Sequence, residues 1–265
     1  MIQAILSLLP PDFPWRDQIR YVPSIDSTND RLKQLAKEGA PHGTILAAGC
    51  QTNGHGRMGR SFHSPEGKGI YLSVLLRPGC PASELMHLTC AAAVAMCDAV
   101  EQIAGFRPGI KWTNDLVSGT RKLGGILTEL GLGFNAMADW AIIGIGINCS
   151  QDPHDFPEEI RDIAGSLGMV TGQDISASAM AAAMAEALER MDRSLLTGRE
   201  AILESYRRDC VTIGREISLV RGDTIRHGTA ICVDDQGALV VAYPDGTLET
   251  VNSGEISIRG MYGYV

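Results

Sequence analysis

The sequence has no excess of positive charge. Its 265 residues include 23 Lys and Arg against 31 Asp and Glu, a formal net charge of −8. A protein that binds nucleic acid or an anionic membrane surface in general needs an excess of positive charge, so the sequence favours neither of these two classes of protein. Long apolar runs are lacking too: the run at residues 4–9 is too short to span a membrane, and no basic residue precedes it as in a signal peptide. We therefore expect a cytoplasmic protein that does not enter the membrane.

Paired cysteines are also lacking. Seven cysteines are scattered along the chain, an odd number, and no two of them form a CxxC pair. A disulfide framework or a zinc ribbon would have a different spacing, so neither is indicated. Free thiols are typical of a reducing compartment, which again favours the cytoplasm.

The composition is that of an ordinary globular protein, with 45% hydrophobic and 20% charged residues. The length suits one large domain and one small one. From about residue 216 the pattern changes to five short β-type runs separated by turn residues, which predicts a small β-barrel. We divide the chain into residues 1–20, a segment of unknown role, residues 21–213, the large domain, and residues 214–265, the barrel.

The large domain mixes strands and helices. One helix is predicted to begin after the cap residue Ser27 and to end at Gly39. Strands are predicted at residues 44–48, 70–76, 110–112, 123–130 and 140–147, and further helices at residues 84–103, 175–196 and 201–210. This pattern is typical of an α+β protein.

Residues 54–59 read Gly-His-Gly-Arg-Met-Gly, which matches the GxGxxG pattern of dinucleotide-binding loops letter for letter. That fold needs the loop to begin a helix, whereas the next ten residues contain Pro65, Gly67 and Gly69 and cannot form its first turns. A dinucleotide site is therefore not predicted. No GxxxxGK[ST] phosphate loop is present either.

The charge of this glycine-rich loop is more informative. Residues 53–72 carry Arg57, Arg60 and Lys68 against Glu66 alone, a net charge of +2 in a chain of −8. Backbone N–H and guanidinium groups in such a loop can approach phosphate oxygens closely, so its small extent suits one polyanionic small molecule. The alternative is a flexible loop whose arginines pair with acidic neighbours. A loop that becomes ordered over its ligand would satisfy both interpretations.

Four further segments surround this loop in a fixed order. They are Ser27-Thr28-Asn29, residues 111–116 (KWTNDL), residues 121–130 (RKLGGILTEL) and residues 143–148 (IGIGIN). Together with the loop they resemble the STN, GRGRxGRxW, KWPNDL, KLGGILVE and GxGxN motifs of the biotin–protein ligases. The resemblance covers roughly residues 20–150, and more loosely the barrel with residues 254–257. It implies a mixed-sheet catalytic domain of the class II synthetase type that binds biotin and ATP, followed by an SH3-like barrel.

The resemblance also implies a reaction in two steps. The carboxylate of biotin attacks the α-phosphate of ATP bound to Mg²⁺, which gives biotinyl-5′-AMP and pyrophosphate. A lysine amine then attacks the mixed anhydride and releases AMP. The expected small molecules are biotin, ATP and Mg²⁺, and the expected protein partner is the biotin carboxyl carrier domain of a biotin-dependent carboxylase. Both a monomer and a homodimer remain open.

Three residues are the implied catalytic groups. Lys122 matches the lysine that contacts the carboxyl oxygen and the phosphate, where negative charge develops. Arg57 matches the loop arginine that holds the adenylate over biotin. Asp115 matches an aspartate near the incoming lysine, whose proton it could take, and a hairpin through residues 118–120 would place it opposite Lys122. The alternatives are a solvated turn lysine at position 122 and an Asx-turn aspartate at position 115.

A wider set is implied for ligand binding. The helix start and Gln51 offer donors and acceptors for the ureido ring, although Ser27 and Thr28 suit helix capping equally well. Trp112 and three glycines would line an apolar channel, although the glycines could serve strand packing alone. The full binding set is Ser27, Thr28, Asn29, Gln51, Gly54, His55, Gly56, Arg57, Arg60, Trp112, Lys122, Gly125, Gly144, Gly146, Asn148 and Arg259. No residue is assigned to a metal.

The chain departs from the family motifs at three positions. His55 stands in place of an arginine, so a permanent charge becomes a titratable one, and nucleotide binding is expected to depend mildly on pH over about pH 5.5–8. Phe62 replaces a tryptophan and lacks its N–H donor. Thr113 replaces a proline.

Three other functions are compatible with parts of the sequence. A ligase that is also a repressor would carry a DNA-binding domain, but only 26 residues precede Ser27 and four prolines interrupt them, so no specific DNA binding is expected. A lipoate or octanoate ligase or acyltransferase would share a carboxylated tail on its substrate but not the ureido pocket. A non-catalytic biotin or nucleotide sensor would bind without pyrophosphate release, and Lys122 and Asp115 argue against it.

Overall fold

The computed structural model describes residues 1–221, 224–252 and 254–258. Its strands are β1 (Ile19–Val22), β2 (Thr44–Ala48), β3 (Gly69–Leu76), β4 (Gly109–Lys111), β5 (Asp115–Ser118), β6 (Arg121–Leu132), β7 (Ala138–Asn148), β8 (Glu216–Arg221), β9 (Thr224–Val233), β10 (Leu239–Ala242), β11 (Leu248–Val251) and β12 (Glu255–Ile258). Its α-helices are α1 (Ile2–Leu8), α2 (Thr28–Lys37), α3 (Leu88–Ala104), α4 (Leu167–Thr171), α5 (Ala177–Ser194) and α6 (Arg199–Asp209).

The larger sheet has seven strands in the order β1-β2-β3-β7-β6-β5-β4. Strands β1 and β2 run parallel and the other neighbours antiparallel, so the sheet is mixed. Helices cover both faces of the sheet. Successive residues of a strand point to opposite sides, so a single strand packs against helices on both faces. On β3, Val74 and Leu76 belong to the buried cluster that includes α3 and α5, whereas Leu75 belongs to the cluster with Leu32 of α2.

Two alanine-rich helices, α3 and α5, pack against each other on one face of this sheet. Residues 91–93 of α3 and 181–183 of α5 are alanines with almost no exposed surface. Small side chains let the two helices approach closely, so both become part of the core. By length and composition the stretch Ala82–Ala104 could also span a membrane, but 67% of its apolar window is buried inside the fold. The predicted long buried helix is therefore present.

The second sheet is antiparallel, with five strands in the order β11-β10-β9-β8-β12. Its strands coincide with the five predicted β-type runs. The Trp112 Nε1–H donates to the Gly237 carbonyl oxygen at 3.0 Å, and the Arg207 side chain donates to the Val233 carbonyl and to Asp235. These contacts hold the second sheet against the first. The predicted fold class, a mixed-sheet α+β domain followed by a small SH3-like domain, is confirmed, while the boundaries at residues 20 and 213 stay predictions.

Among the helices and strands, α1, β1 and α4 were not predicted, and β5 was expected only as one side of the hairpin through residues 118–120. The apolar run at residues 4–9 is mostly helical, and Ile5 is buried where α1 meets α5. Strand β1 is four residues long and pairs with β2, some 25 residues later in the chain. Such elements are stabilised by contacts that are distant in sequence, which a local pattern does not reveal.

His87 is fully buried at the start of α3. Its Nε2–H donates to the Leu195 carbonyl oxygen at 2.8 Å, and its Nδ1 has no hydrogen-bond partner among the described residues. Burial lowers the pKa of His87 below its usual value of 6.5, and the hydrogen bond to Leu195 opposes that shift only in part. The folded protein therefore keeps this imidazole neutral at a pH where the unfolded chain binds a proton.

We expect His87 to make the protein less stable in mild acid. Below about pH 6.5 the unfolded chain takes up the proton and the folded chain does not, so the free energy of unfolding falls until the lowered pKa is reached. The contribution of His87 to this free energy is constant above about pH 6.5, and its slope below that pH is at most about 1.4 kcal/mol per pH unit. Urea unfolding at pH 7.5 and 5.5 should show a smaller difference for His87→Gln than for the wild type.

The exposed His154 provides the matched control. His154→Gln should lose as much stability between the two pH values as the wild type does. An undiminished pH difference in His87→Gln would contradict the prediction.

Candidate active site

A deep cleft lies over the middle strands of the larger sheet. It contains about 990 Å³ of empty space, its open mouth included. The cleft brings together fourteen of the predicted residues: Ser27, Thr28, Asn29, Gln51, His55, Gly56, Arg57, Arg60, Trp112, Asp115, Lys122, Gly125, Gly144 and Gly146. Its wall also includes Met58, Ser61, Phe62, Lys111, Asn114, Ile126, Leu127, Ile145, Gly254 and Ile256, which were not in the predicted set. The last two belong to the second sheet or directly precede it.

The wall of the cleft is strongly cationic. Arg57, Arg60, Lys111 and Lys122 contribute positive charge, and Asp115 is the only carboxylate among the described residues that line the cleft. This excess lies within a chain of net charge −8. A concave surface of one sign concentrates its field, so the cleft attracts anions.

Arg57 lies in a short 3₁₀ turn of the glycine-rich loop, Arg57–Gly59. Its Nη1 donates to the Asn114 Oδ1 at 3.0 Å, and the Asn114 Nδ2 donates to the Ile126 carbonyl oxygen at 2.9 Å. Burial lowers the pKa of Arg57, the nearby Asp115 carboxylate opposes that shift, and the guanidinium remains charged at neutral pH. Asn114 therefore links the loop arginine to the sheet.

Lys122 and Asp115 form an ion pair with 2.6 Å between Nζ and Oδ1. The predicted direct pairing of the two residues is not found, because the turn pairs Ser118 with Arg121 and an irregularity between Leu116 and Val117 shifts the register by one more residue. Asp115 instead lies opposite Gly125, and Lys122 opposite Val117. The lysine stem passes over Gly125, where an added Cβ would lie 3.2 Å from Lys122 Cε and Nζ. A side chain at position 125 would therefore press on the end of the lysine, which would have to shift by a few tenths of an ångström.

Two glycines of β7 leave space for the side chains of Asn29 and Phe62. A Cβ on Gly144 would lie 2.0 Å from Asn29 Oδ1, and one on Gly146 would lie 2.4 Å from the Phe62 ring. These separations are far below van der Waals contact, so no side chain fits at either position. The strand has glycine here because Asn29 and Phe62 occupy the space above it.

The start of α2 forms the polar floor of the cleft. Ser27 caps the helix by accepting a hydrogen bond from the Asp30 N–H. The Thr28 N–H donates to Gln51 Oε1 at 2.8 Å, and the hydroxyls of Thr28 and Ser73 lie 2.7 Å apart. Capping and cleft lining are thus combined in one turn of helix.

The glycine-rich loop returns on itself and contacts α2. The Gly56 N–H donates to the Arg60 carbonyl, and the Phe62 N–H to the Gly54 carbonyl. His55 Nε2 lies 2.9 Å from Asp30 Oδ2. Burial acts to raise the pKa of Asp30, but hydrogen bonds from Lys33 and His55 outweigh it and lower that pKa. One partner of His55 is therefore a carboxylate of the protein, and the pH dependence expected of nucleotide binding stays a prediction.

Of the predicted residues that the structure describes, Gly54 and Asn148 do not line the cleft. Gly54 lies behind it, where a Cβ would meet the Phe62 carbonyl at 2.7 Å. Asn148 is buried, donates to the Gly165 carbonyl at 2.8 Å and accepts from Gln151 Nε2 at 3.0 Å. Arg259 lies outside the described residues. For Gly54 and Asn148 the structure gives a packing role, and contact with a ligand stays a prediction.

Comparison with known proteins agrees with this architecture. A family model described as Biotin/lipoate A/B protein ligase family matches residues 21–148, and one described as Biotin protein ligase C terminal domain matches residues 212–259. The bifunctional ligase/repressor BirA of Bacillus subtilis is 35% identical over 238 residues, 88% of this chain and 72% of that protein. The biotin–[acetyl-CoA-carboxylase] ligase of Mycobacterium tuberculosis is 30% identical over 251 residues, 91% of this chain and 89% of that protein.

The chain belongs to the biotin protein ligase family. Among solved structures, the biotin protein ligase from Aquifex aeolicus in complex with biotin and ATP superposes with a TM-score of 0.76 at 29% identity, covering 91% of this chain and 98% of that one. Membership of this family confirms the resemblance of the sequence motifs to those of the biotin–protein ligases. The motifs lie in the strands, turns and helix start around the cleft.

Several residues of this ligase-family site were missed by the sequence argument. Ser73 is fully buried under Thr28 and Asn29, and Glu129 accepts from Asn29 Nδ2 at 2.8 Å. Asn114 holds Arg57, as described above. A signal existed for Ser73, since it is the one polar side chain within the apolar run of β3 except for the Tyr71 hydroxyl. Glu129 and Asn114 lie within the quoted motifs, but nothing local shows which way their side chains point.

Proposed function

We propose that this protein ligates biotin to a lysine of a biotin carboxyl carrier domain through biotinyl-5′-AMP. The observation that carries the proposal is one cleft whose lining combines a neutral polar floor with a cationic wall that includes Lys122 and Asp115. A neutral ring and a polyphosphate need these two environments side by side. The related Aquifex aeolicus ligase is described in complex with biotin and ATP.

The floor suits the ureido ring of biotin. Thr28 and Gln51 offer donors and acceptors, and Asn29 holds the helix start against β7. The backbone of Gly144 and Gly146 forms a smooth wall for an aliphatic chain, because no side chain can project there. Trp112 contributes apolar surface, while its indole N–H is engaged by Gly237.

The first step forms a bond between the biotin carboxylate and the α-phosphate of ATP, with pyrophosphate as the leaving group. Two anions must meet, so the step is slow unless cations neutralise the charge that they share. Arg57 and Lys122 are proposed to do this, Arg57 from the loop above and Lys122 from β6. Lys122 has three N–H donors and can direct two of them at the substrates while one stays with Asp115.

The second step forms an amide between the acceptor lysine and the biotinyl carbonyl, and AMP leaves. The attacking amine must be neutral at its nitrogen and loses a proton as the bond forms. Asp115 is proposed to accept that proton or to orient the amine, since it is the only carboxylate in the described wall. Its contact with Lys122 holds it at the junction of carboxylate and phosphate.

Mg²⁺ is proposed to enter as the complex with ATP. No group of three or more His, Cys, Asp or Glu side chains suited to a metal occurs within the part of the chain that the structure describes. Mg²⁺ commonly keeps several waters and binds substrate phosphates with few protein ligands. A wall with one carboxylate, already engaged by Lys122, fits an ion that the phosphates themselves carry.

The remaining expectations belong to the same proposal. The protein would act in the cytoplasm, where its carrier domain is made, as a monomer or a homodimer. It would not bind specific DNA or enter a membrane. The net charge of −8 supports the last two points, since both surfaces are anionic.

The test is exchange of labelled pyrophosphate into ATP by the purified protein with Mg²⁺. We expect exchange that requires biotin and does not occur with lipoate or octanoate. Exchange with lipoate in place of biotin would assign the protein to the neighbouring branch of the family. Biotin binding without exchange would identify a sensor, and either result would contradict the proposal.

A further inference from the structure

Three oxygen–oxygen contacts follow one another beneath the floor of the cleft. Gln51 Oε1 and Thr28 Oγ1 are 2.9 Å apart, Thr28 Oγ1 and Ser73 Oγ 2.7 Å, and Ser73 Oγ and Asn29 Oδ1 2.6 Å. Each separation is that of a hydrogen bond, so each contact needs a proton between its oxygens. Ser73, Thr28 and Asn29 are at most 4% exposed, so an unmade bond here is costly.

Both ends of this row can only accept. Gln51 Oε1 accepts from the Thr28 N–H at 2.8 Å, which fixes the carbonyl oxygen of the amide on that side. Asn29 Nδ2 donates to Glu129 Oε2 at 2.8 Å, and because a carboxylate cannot donate, the amide oxygen of Asn29 must face Ser73. Lys33 Nζ lies 2.8 Å from the other oxygen of Glu129.

The row is therefore one proton short. Its three contacts share only the two hydroxyl protons of Thr28 and Ser73, since each hydroxyl has a single proton. If Ser73 donates to Asn29, then Thr28 can satisfy either Ser73 or Gln51 but not both. A donor from the cleft would complete the set, and Thr28 and Gln51 both line the cleft.

We infer that an N–H group of the ligand donates to the acceptor site that this shortage leaves open on Thr28 or Gln51, and that Glu129 is the positioning residue that creates the shortage. The inference rests on the proposed function, in which the ligand is a cyclic urea with two N–H groups. Glu129 does not itself line the cleft. It acts through Asn29 and Ser73, which oblige the floor to accept a hydrogen bond instead of donating one. The dithiolane ring of lipoate has no N–H and cannot donate this hydrogen bond.

The variant Glu129→Gln removes the shortage. The new side-chain amide can accept from Lys33 with its oxygen and present its NH₂ to Asn29, whose own amide then turns to donate to Ser73. Ser73 donates to Thr28 and Thr28 to Gln51, so three protons serve three contacts. Nothing is left for a ligand N–H to complete, although the size and packing of the side chain are preserved.

The experiment measures binding of biotin and of two analogues in which one ureido N–H or the other is replaced by CH₂. By calorimetry we expect the wild type to bind one analogue about 10- to 100-fold more weakly than biotin. In Glu129→Gln the ratio of the dissociation constants of that analogue and of biotin should fall to within about threefold, chiefly because biotin binds less tightly. Ser73→Ala interrupts the row and should lower the ratio as well.

Lys33→Met is the matched control, because it removes a charge from the same cluster but leaves Glu129 a pure acceptor. It should keep the wild-type ratio. The inference is overturned if Glu129→Gln weakens biotin and both analogues equally, as a merely structural residue would, or if the wild type binds both analogues as tightly as biotin. Absence of any biotin binding or exchange by the wild type would instead overturn the proposed function.

Discussion

Lys122→Met is expected to lower biotin-dependent pyrophosphate exchange by about 10²–10³-fold, the usual effect of removing one group that stabilises developing charge. The lysine is proposed to contact the biotin carboxylate and the α-phosphate, and methionine keeps the stem without the ammonium. Biotin affinity, measured by calorimetry, should change by less than about threefold, because the ureido ring is proposed to bind other residues, Thr28 and Gln51. The effect should thus be on turnover.

Loss of Lys122 also leaves the Asp115 carboxylate buried without its partner, so stability must be measured alongside activity. The double variant Lys122→Met, Asp115→Asn removes both charges and should recover stability but not exchange. Lys37→Met, at the exposed end of α2, is the control and should retain wild-type exchange. Substantial exchange by Lys122→Met would remove Lys122 from the chemistry.

Gly144→Ala is expected to abolish biotin binding at ordinary concentrations, with a loss of about 100-fold or more and a stability cost of about 1–3 kcal/mol. The added Cβ would lie 2.0 Å from Asn29 Oδ1. Asn29 cannot simply move away, since Ser73 and Glu129 hold its two polar atoms. Either β7 or the start of α2 must shift, and both form the binding floor.

Gly133→Ala is the matched control for this substitution. Gly133 lies between β6 and β7, and a Cβ there would meet its nearest neighbour at an ordinary 3.6 Å. Its backbone is extended, with a φ of −94°, so alanine is not strained. Calorimetry and thermal unfolding should show wild-type behaviour for Gly133→Ala. Wild-type biotin affinity in Gly144→Ala would show that Asn29 does not position the floor.

Much of the site could be predicted from short motifs because a motif keeps its chemistry in adjacent residues. The start of α2, the glycine-rich loop and the hairpin of Asp115 and Lys122 were all found in this way. The hairpin also shows the limit of the method. The expected register was direct pairing, whereas the turn pairs Ser118 with Arg121 and an irregularity after Leu116 adds one more residue, so that Asp115 lies opposite Gly125. The two side chains still meet, because the lysine stem passes over Gly125.

The sequence by itself determined the fold class, the family and the identity of the charged groups. The family and the fold class follow from short motifs that resemble those of the biotin–protein ligases, with the mixed strand and helix pattern in support, and the charged groups of the cleft lie within those motifs. Only the tertiary structure decided which other polar residues matter. Ser73, Glu129 and Asn114 act across strands, and their roles depend on which atom faces which partner. Hydrogen-bond direction and close packing are properties of residues far apart in the chain, so no local pattern contains them.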